Sequence, residues 1–294
     1  MSTRFGYVAI VGRPNVGKST LLNALVGQKL AIVTPKPQTT RNVVLGIVSD
    51  GEAQMVVLDT PGLLEPRYKL QEAMVGGIRR SLKDADVVLL LLDAGLGAQA
   101  FGGEERGVLS SARQPVVLAI NKVDIATDQV IGEVSEAVRE HVSAERLILL
   151  SALRGDRVGE LKALLRALLP AGPFLYPPDL LTEQPERFFV AEIIWEKILF
   201  TFRQEVPYSS AVLIEDFKER EPKTYIRATI YVEKESQKSI IVGKGGEMLR
   251  KVGESARPEI EQFVQHPVYL ELWVKVRENW RRNERDLREL GYLR

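Results

Sequence analysis

Short apolar runs alternate with amphipathic stretches through the first half of the chain. Residues 5–12 (FGYVAIVG) read as a buried strand ending in glycines, and Leu21–Val26 continue as a helix. Further apolar runs at Gln54–Leu58, Val87–Leu92, Val116–Ile120 and Leu147–Leu150 read as strands. Helical stretches at Gln71–Leu82 and Gly132–Val142 separate them, and Leu161–Leu169 reads as a closing helix. Such alternation predicts βαβ units, and near-continuous aliphatic strands predict a mostly parallel sheet with helices on both faces. Pro170, Pro173, Pro177, Pro178 and Pro185 then fall within sixteen residues, which can continue neither element. The pattern beyond them differs. A long helix over about Glu186–Glu205 is followed by strands at Ser209–Phe217 and Thr224–Val232, helical stretches around a glycine cluster, a strand at Val268–Val276 and a basic terminal helix. The expected organisation is an α/β domain over residues 1–172, a Pro-rich linker over 173–185 and an α+β domain over 186–294.

A chain of 294 residues suits two domains, and 45% hydrophobic with 27% charged residues is ordinary for globular proteins. The longest aliphatic run, Val87–Leu92, is six residues, whereas a membrane span needs about 20. The N-terminus lacks the charged-then-apolar pattern of an export signal, so a cytoplasmic location is expected. With no cysteine, disulfides, thiolate metal sites and a Cys nucleophile are excluded. His141 and His266 are the only histidines, too few for a His-rich metal site, and both read as structural. Ser151 near Asp156 has no histidine placed to make a hydrolase triad. The formal net charge is +1, and residues 181–294 carry 20 basic and 20 acidic side chains, so no bulk basic footprint for nucleic acid exists. The basic run from Lys275 to Arg294 is interleaved with Glu278, Glu284, Asp286 and Glu289, the pattern of a salt-bridged helix.

The strongest chemical signal is Gly12-Arg13-Pro14-Asn15-Val16-Gly17-Lys18-Ser19, a G-x-x-x-x-G-K-[ST] run between a strand and a helix. Its glycines let backbone N–H groups and the helix N-terminus wrap phosphate oxygens. Candidate phosphate contacts are Gly12, Asn15, Val16, Gly17, Lys18, Ser19 and Thr20, with Lys18 reaching the β- and γ-phosphates and Ser19 binding Mg²⁺. Asp59-Thr60-Pro61-Gly62 ends the next long strand. There Asp59 suits a second Mg²⁺ contact through water, and Gly62 can bring its N–H to the γ-phosphate. Asn121-Lys122-Val123-Asp124 follows another strand. Asp124 can accept the paired N1–H and N2–H donors of guanine, a pair adenine lacks. Asn121 would tie this loop to the base and the phosphate loop, Lys122 would lie over the ring, and the Ala152 N–H of Ser151-Ala152-Leu153 can reach guanine O6. All lie at the C-terminal ends of strands, where open α/β sheets bind ligands.

Residues 5–170 resemble the translation-factor class of GTPases. The resemblance implies GTP and GDP as ligands with Mg²⁺, and a loop threonine that senses the γ-phosphate. Thr40 is favoured for that role, with Thr39 as the alternative, so catalysis would rest on Lys18, Thr40 and Gly62 and the metal on Ser19, Thr40 and Asp59. The switches would be Ala31–Asn42 and Gly62 to about Lys69. One departure is Leu63, where many such GTPases carry the glutamine that orients the attacking water. The branch with an apolar residue there often carries a P-loop asparagine that helps bind K⁺, and Asn15 stands in that place. Arg13 and Arg41 read as solvated loop arginines, with no arginine finger assigned.

In the second domain, Gly243-Lys244-Gly245-Gly246 lies between the apolar Ile240-Ile241-Val242 and a helix starting near Glu247. This resembles the clamp of type II K-homology (KH) domains, which hold about four nucleotides of single-stranded nucleic acid. Candidate RNA contacts are Ile241, Val242, Gly243, Lys244, Gly245, Gly246, Arg250 and Lys251, beside a groove lined by Ile240, Ile241, Val242 and Leu249, residues that equally suit a core. Trp195 and Trp273 read as structural, and Trp280 as the one tryptophan for a partner surface. The whole chain resembles bacterial ribosome-assembly GTPases that end in a KH domain. That resemblance implies a monomeric GTP switch that binds the 3′ end of 16S ribosomal RNA on the 30S pre-subunit, with weak association at the inner face of the membrane. The alternative is a GTPase switch whose second domain binds a protein or membrane partner.

Overall fold

The computed structural model describes residues 3–141, 143 and 146–293. They form two compact units, residues 3–66 with 74–183, and residues 67–73 with 184–293.

In chain order the first unit carries β1 (Arg4–Val11), α1 (Lys18–Val26), β2 (Val44–Ser49), β3 (Ala53–Asp59), α2 (Lys69–Asp84), β4 (Val87–Asp93), α3 (Gly103–Ser111), β5 (Val116–Asn121), α4 (Asp128–Arg139), β6 (Leu147–Leu149) and α5 (Val158–Leu168); the first turn of α2 groups with the second unit. The sheet order is β2-β3-β1-β4-β5-β6. Every pairing is parallel except β2 with β3. β4 is buried from Val87 through Leu92 and β5 over its whole length, as aliphatic strands covered on both faces must be. Because β3 and β4 flank β1, the chain crosses over β1 between them, which opens a crevice at the strand C-termini.

The strands read from the sequence omit β2. β2 pairs antiparallel with β3 through a tight turn in which Asp50 Oδ1 accepts from the Glu52 and Ala53 N–H groups at 3.0 and 2.8 Å. The Asp50-Gly51 dipeptide was the available hairpin signal. α4 starts at Asp128, four residues before the expected helix, with the Thr127 hydroxyl as its N-cap. The expected end at Val142 lies outside the described residues.

The second unit adds α6 (Glu186–Thr201), β7 (Ala211–Lys218), β8 (Thr224–Val232), α7 (Glu235–Val242), α8 (Glu247–Val264), β9 (Val268–Val276) and a short α9 (Glu284–Glu289). β7 runs antiparallel and β9 parallel to the central β8. α6 packs on β7 and α8, burying Ile194, Trp195 and Ile198. Two tryptophan readings are corrected. Trp280 is 0% exposed, its indole N–H donates to Ser209 O at 2.9 Å, and its ring stacks on Tyr292. It therefore anchors the C-terminal segment rather than a partner. Trp273 is 53% exposed, because strand alternation buries Val268 and Val274 and turns Tyr269 and Trp273 outward. The basic terminal run is salt-bridged as expected, with Arg277 on Asp286 at 3.0 Å and Arg281 on Glu233, but it is not one helix: it begins in β9 and only Glu284–Glu289 are α-helical.

Candidate nucleotide site and nucleic-acid interface

The phosphate loop joins β1 to α1. Gly17 takes the left-handed conformation at the N-cap of α1, so the first N–H groups of the helix face the crevice. Lys18 is buried, and its ammonium donates to Gly12 O at 3.1 Å and Arg13 O at 2.8 Å. Burial lowers it to about 8, against the attraction of Asp59. Asp59 ends β3 fully buried; burial raises its carboxyl to about 6, against the Lys18 charge and hydrogen bonds from Ser19 and Thr40. The Ser19 hydroxyl donates to Asp59 Oδ2 at 2.6 Å and lies 3.0 Å from Thr40 Oγ1.

Three oxygen-bearing side chains thus converge, and Asp59 Oδ1 is buried with no hydrogen-bond partner. Such an orphan beside a phosphate loop suits a hydrated Mg²⁺, a hard cation that keeps several waters. Of the two threonines, Thr40 is the one brought to Ser19. The Thr39 hydroxyl instead donates to Lys36 O at 2.8 Å and pairs with Thr34. Gly62 approaches the loop so closely that a Cβ there would lie 2.7 Å from Pro14 N. Leu63 donates its N–H to Gly12 O at 3.0 Å and packs its side chain on the core around Phe101, so it takes no part in holding water.

Asn121 Nδ2 donates to Val16 O at 2.8 Å, which ties the base-side loop to the phosphate loop as expected. Its Oδ1 accepts the Ala152 N–H at 2.9 Å. That N–H is the group expected to reach guanine O6. Lys122 lies at positive φ with its ammonium on Asp93 at 2.6 Å. Asp124 is nearly buried, 3.4 Å from Arg154 Nε. Ser151 is buried and accepts the Arg154 N–H at 3.2 Å, whereas Leu153 is 79% exposed. The crevice, about 500 Å³, is lined by Asn15, Gly17, Lys18, Ser19, Thr20, Thr40, Gly62, Asn121, Lys122, Asp124, Ser151 and Leu153 among others. The Asn15 amide donates to Pro35 O at 3.0 Å.

The reading of Arg13 and Arg41 as solvated is corrected. Arg13 makes a two-pronged bond to Glu105 of α3 at 2.8 and 3.0 Å, and Glu105 is fully buried; Arg41 is itself buried. Sequence spacing carried no signal for Glu105, Asp93 or Arg154, because each reaches the site from a different loop or helix.

In the second unit, α7 ends at Gly243 with φ 73°, where a Cβ would lie 2.9 Å from Met248 N. Only glycine makes that turn without strain. Lys244–Gly246 form one 3₁₀ turn into α8, with Lys244, Gly245, Arg250 and Lys251 exposed. Beside it runs a groove of about 400 Å³ between α8 and β9, lined by Lys223, Gly246, Leu249, Arg250, Arg257, Tyr269, Leu270 and Leu272. The groove lining expected from α7 is corrected. Ile241 is fully buried, Ile240 stands exposed and Val242 half-buried, and β9 supplies the apolar wall instead.

These two sites define a class: a P-loop GTPase domain followed by a KH domain. Residues 7–122 match a family model described as 50S ribosome-binding GTPase, and residues 205–281 one described as KH domain. GTPase Era of Alkaliphilus metalliredigens is 46% identical over 297 residues, covering 99% of this chain and 100% of that protein. GTPase Era of Caldanaerobacter subterraneus subsp. tengcongensis is 43% identical, covering 99% of both. An Aquifex aeolicus Era variant bound to GDP and aluminium fluoride matches with a TM-score of 0.93 at 40% identity, covering 99% of this chain and all of that one. Era in complex with MgGDPNP and nucleotides 1506–1542 of 16S ribosomal RNA gives the same TM-score, identity and coverage. The chain belongs to the GTPase Era family. It is a GTPase whose ligands are GTP or GDP with Mg²⁺.

Proposed function

We propose that this chain is a GTP-driven switch that binds the 3′ end of small-subunit ribosomal RNA and assists maturation of the 30S subunit. The observation that carries this reading is the likeness, along nearly the whole chain, to an Era structure holding both MgGDPNP and a 3′-terminal 16S segment. In this reading Lys18 neutralises the β- and γ-phosphates, Gly62 donates its N–H to the γ-phosphate, and Ser19, Thr40 and Asp59 hold Mg²⁺. Water attacks the γ-phosphorus, the bond to the bridging oxygen breaks with its electron pair staying on GDP, and the proton lost by the water passes to the departing inorganic phosphate or to solvent. Asp124 selects guanine, supported by Asn121, Lys122, Ser151, Ala152 and Leu153. Gly12, Asn15, Val16, Gly17 and Thr20 complete the phosphate cradle.

With Leu63 in the core, water positioning falls to the phosphate loop, and we assign Asn15 to a bound K⁺ there. Replacing K⁺ by Na⁺ slows hydrolysis if this holds and leaves the rate unchanged if it does not.

RNA is held by the backbone of Val242–Gly246, the charges of Lys244, Arg250 and Lys251, and the α8–β9 groove; buried Ile241 supports the turn from below. We assign 1–172 to the GTPase domain, 173–185 to the connection and 186–294 to the RNA-binding domain. The protein acts as a monomer in the cytoplasm. No helix among the described residues is long and apolar enough to cross a membrane.

The test is fluorescence anisotropy with a 16S 3′-end oligonucleotide and a scrambled control, comparing a non-hydrolysable GTP analogue with GDP. Sequence-dependent binding that differs between nucleotides supports the reading. Binding indifferent to sequence leaves a GTPase whose second domain serves a protein or membrane partner.

A further inference from the structure

The Pro-rich segment is not free chain. Gln54 of β3 is fully buried, and its Oε1 accepts the N–H groups of both Leu175 and Tyr176 at 3.0 Å. Its Nε2 donates to Tyr176 O at 2.9 Å and to Ser49 Oγ at 3.0 Å. Further along, the Ile47 N–H donates to Leu181 O at 2.7 Å and the Thr182 hydroxyl to Leu45 O at 2.7 Å. Tyr176 and Leu180 pack with Val43 and Leu45 over Ile47 and Val56, and the Tyr176 hydroxyl donates to Glu183 at 3.0 Å. Residues 175–183 therefore form a strap along the outer edge of β2.

β2 is also the strand that leaves the first switch. Thr40, whose hydroxyl lies 3.0 Å from Ser19, precedes Val44 by four residues, and Val43 and Leu45 both touch the strap cluster. Four residues of chain thus separate the switch threonine from the strand that holds the strap. A buried glutamine amide stripped of the strap backbone would lose three of its four hydrogen bonds, so leaving the strap undocked over it is costly.

We propose that the strap is a nucleotide-responsive latch, with Gln54 as its positioning residue, that sets how much free chain precedes the C-terminal domain. Docked, it leaves only Gln184 and Pro185 before α6. Released, the stretch from 173 to 185 comes free, up to roughly 40 Å at about 3.1 Å per residue for a proline-rich segment. The docked state accompanies Thr40 drawn to Ser19, the arrangement Mg²⁺ and a γ-phosphate favour; loss of the γ-phosphate releases the strap. This rests on the reading above, that GTP and GDP states differ in RNA binding.

The test is amide hydrogen exchange of residues 173–185 in the full-length protein, with Mg²⁺ and either a GTP analogue or GDP. The strap amides exchange about five- to tenfold more slowly with the GTP analogue, a difference of the size typical for allosteric coupling. Gln54→Leu abolishes the difference, and the milder Thr182→Val reduces it, while both keep wild-type hydrolysis. Equal exchange with the two nucleotides, or an undiminished difference in Thr182→Val and Gln54→Leu, overturns the latch. Should Gln54→Leu not fold, Thr182→Val alone decides. RNA binding measured in parallel separates the two ideas: its absence sinks the proposed function, while the exchange data still judge the strap.

Discussion

The Ser19 hydroxyl donates to Asp59 Oδ2 at 2.6 Å, joining the start of α1 to the end of β3 across 40 residues of sequence. With Lys18 buried beside them, the pair makes the metal end of the crevice sensitive to protonation.

Burial holds the Asp59 carboxyl at about 6. A carboxyl raised in the folded state binds its proton more tightly there than when unfolded. The nucleotide-free protein thus gains stability from this group as pH falls through about 6. Mg²⁺ needs the carboxylate, so Mg²⁺-dependent GDP binding weakens over the same window. Titrating binding of a fluorescent GDP analogue between about pH 5 and pH 8 checks the binding sign, and thermal unfolding of the nucleotide-free protein over the same range checks the stability sign. Asp59→Asn binds Mg²⁺·GDP weakly and removes this group's pH dependence; an equally steep fall in that variant would assign the titration elsewhere.

Among the described residues that line the crevice, Asp124 is the one carboxylate. Asp124→Asn presents an N–H donor where guanine also donates. GTP affinity should fall by about a hundredfold or more, while xanthosine triphosphate, which offers an acceptor at that edge, gains. Competition binding with the two nucleotides reads the exchange directly.

Gly62→Ala places a methyl group 2.7 Å from backbone and ring atoms of Pro14. Backbone cannot yield as a flexible side chain would. We expect GDP affinity within a few-fold of wild type and hydrolysis lowered by about a hundredfold, because the lost N–H contact is made to the γ-phosphate. Single-turnover hydrolysis beside GDP titration separates the two effects.

Lys244 is exposed at the tip of the turn. Lys244→Ala should weaken 16S 3′-end binding for all sequences alike and lower the salt slope of log affinity by about 1. Arg250→Ala, in the groove wall, should lower it as well and also change the preference between oligonucleotides. Anisotropy across a salt series distinguishes them.

The nucleotide site was legible in the sequence because its parts are local. A phosphate cradle is a glycine turn opening a helix, and residues 12–20 contain all of it. Asp59, Asn121 and Ser151 each follow an apolar strand closely, so parallel pairing alone delivers them to one sheet edge. The KH turn at Gly243–Gly246 was legible for the same reason. What sequence could not decide depended on which distant elements meet. Thr40 rather than Thr39 turns to Ser19 because of the path of the first switch. Arg13 finds Glu105 across 92 residues, and Gln54 finds Tyr176 across 122. Trp280 and Trp273 exchanged their expected places because burial follows strand alternation and the fold of the C-terminal segment, and aromatic character alone fixes neither. Short-range backbone geometry is written in neighbouring residues, whereas the partner of a buried polar group is set by packing of the whole chain.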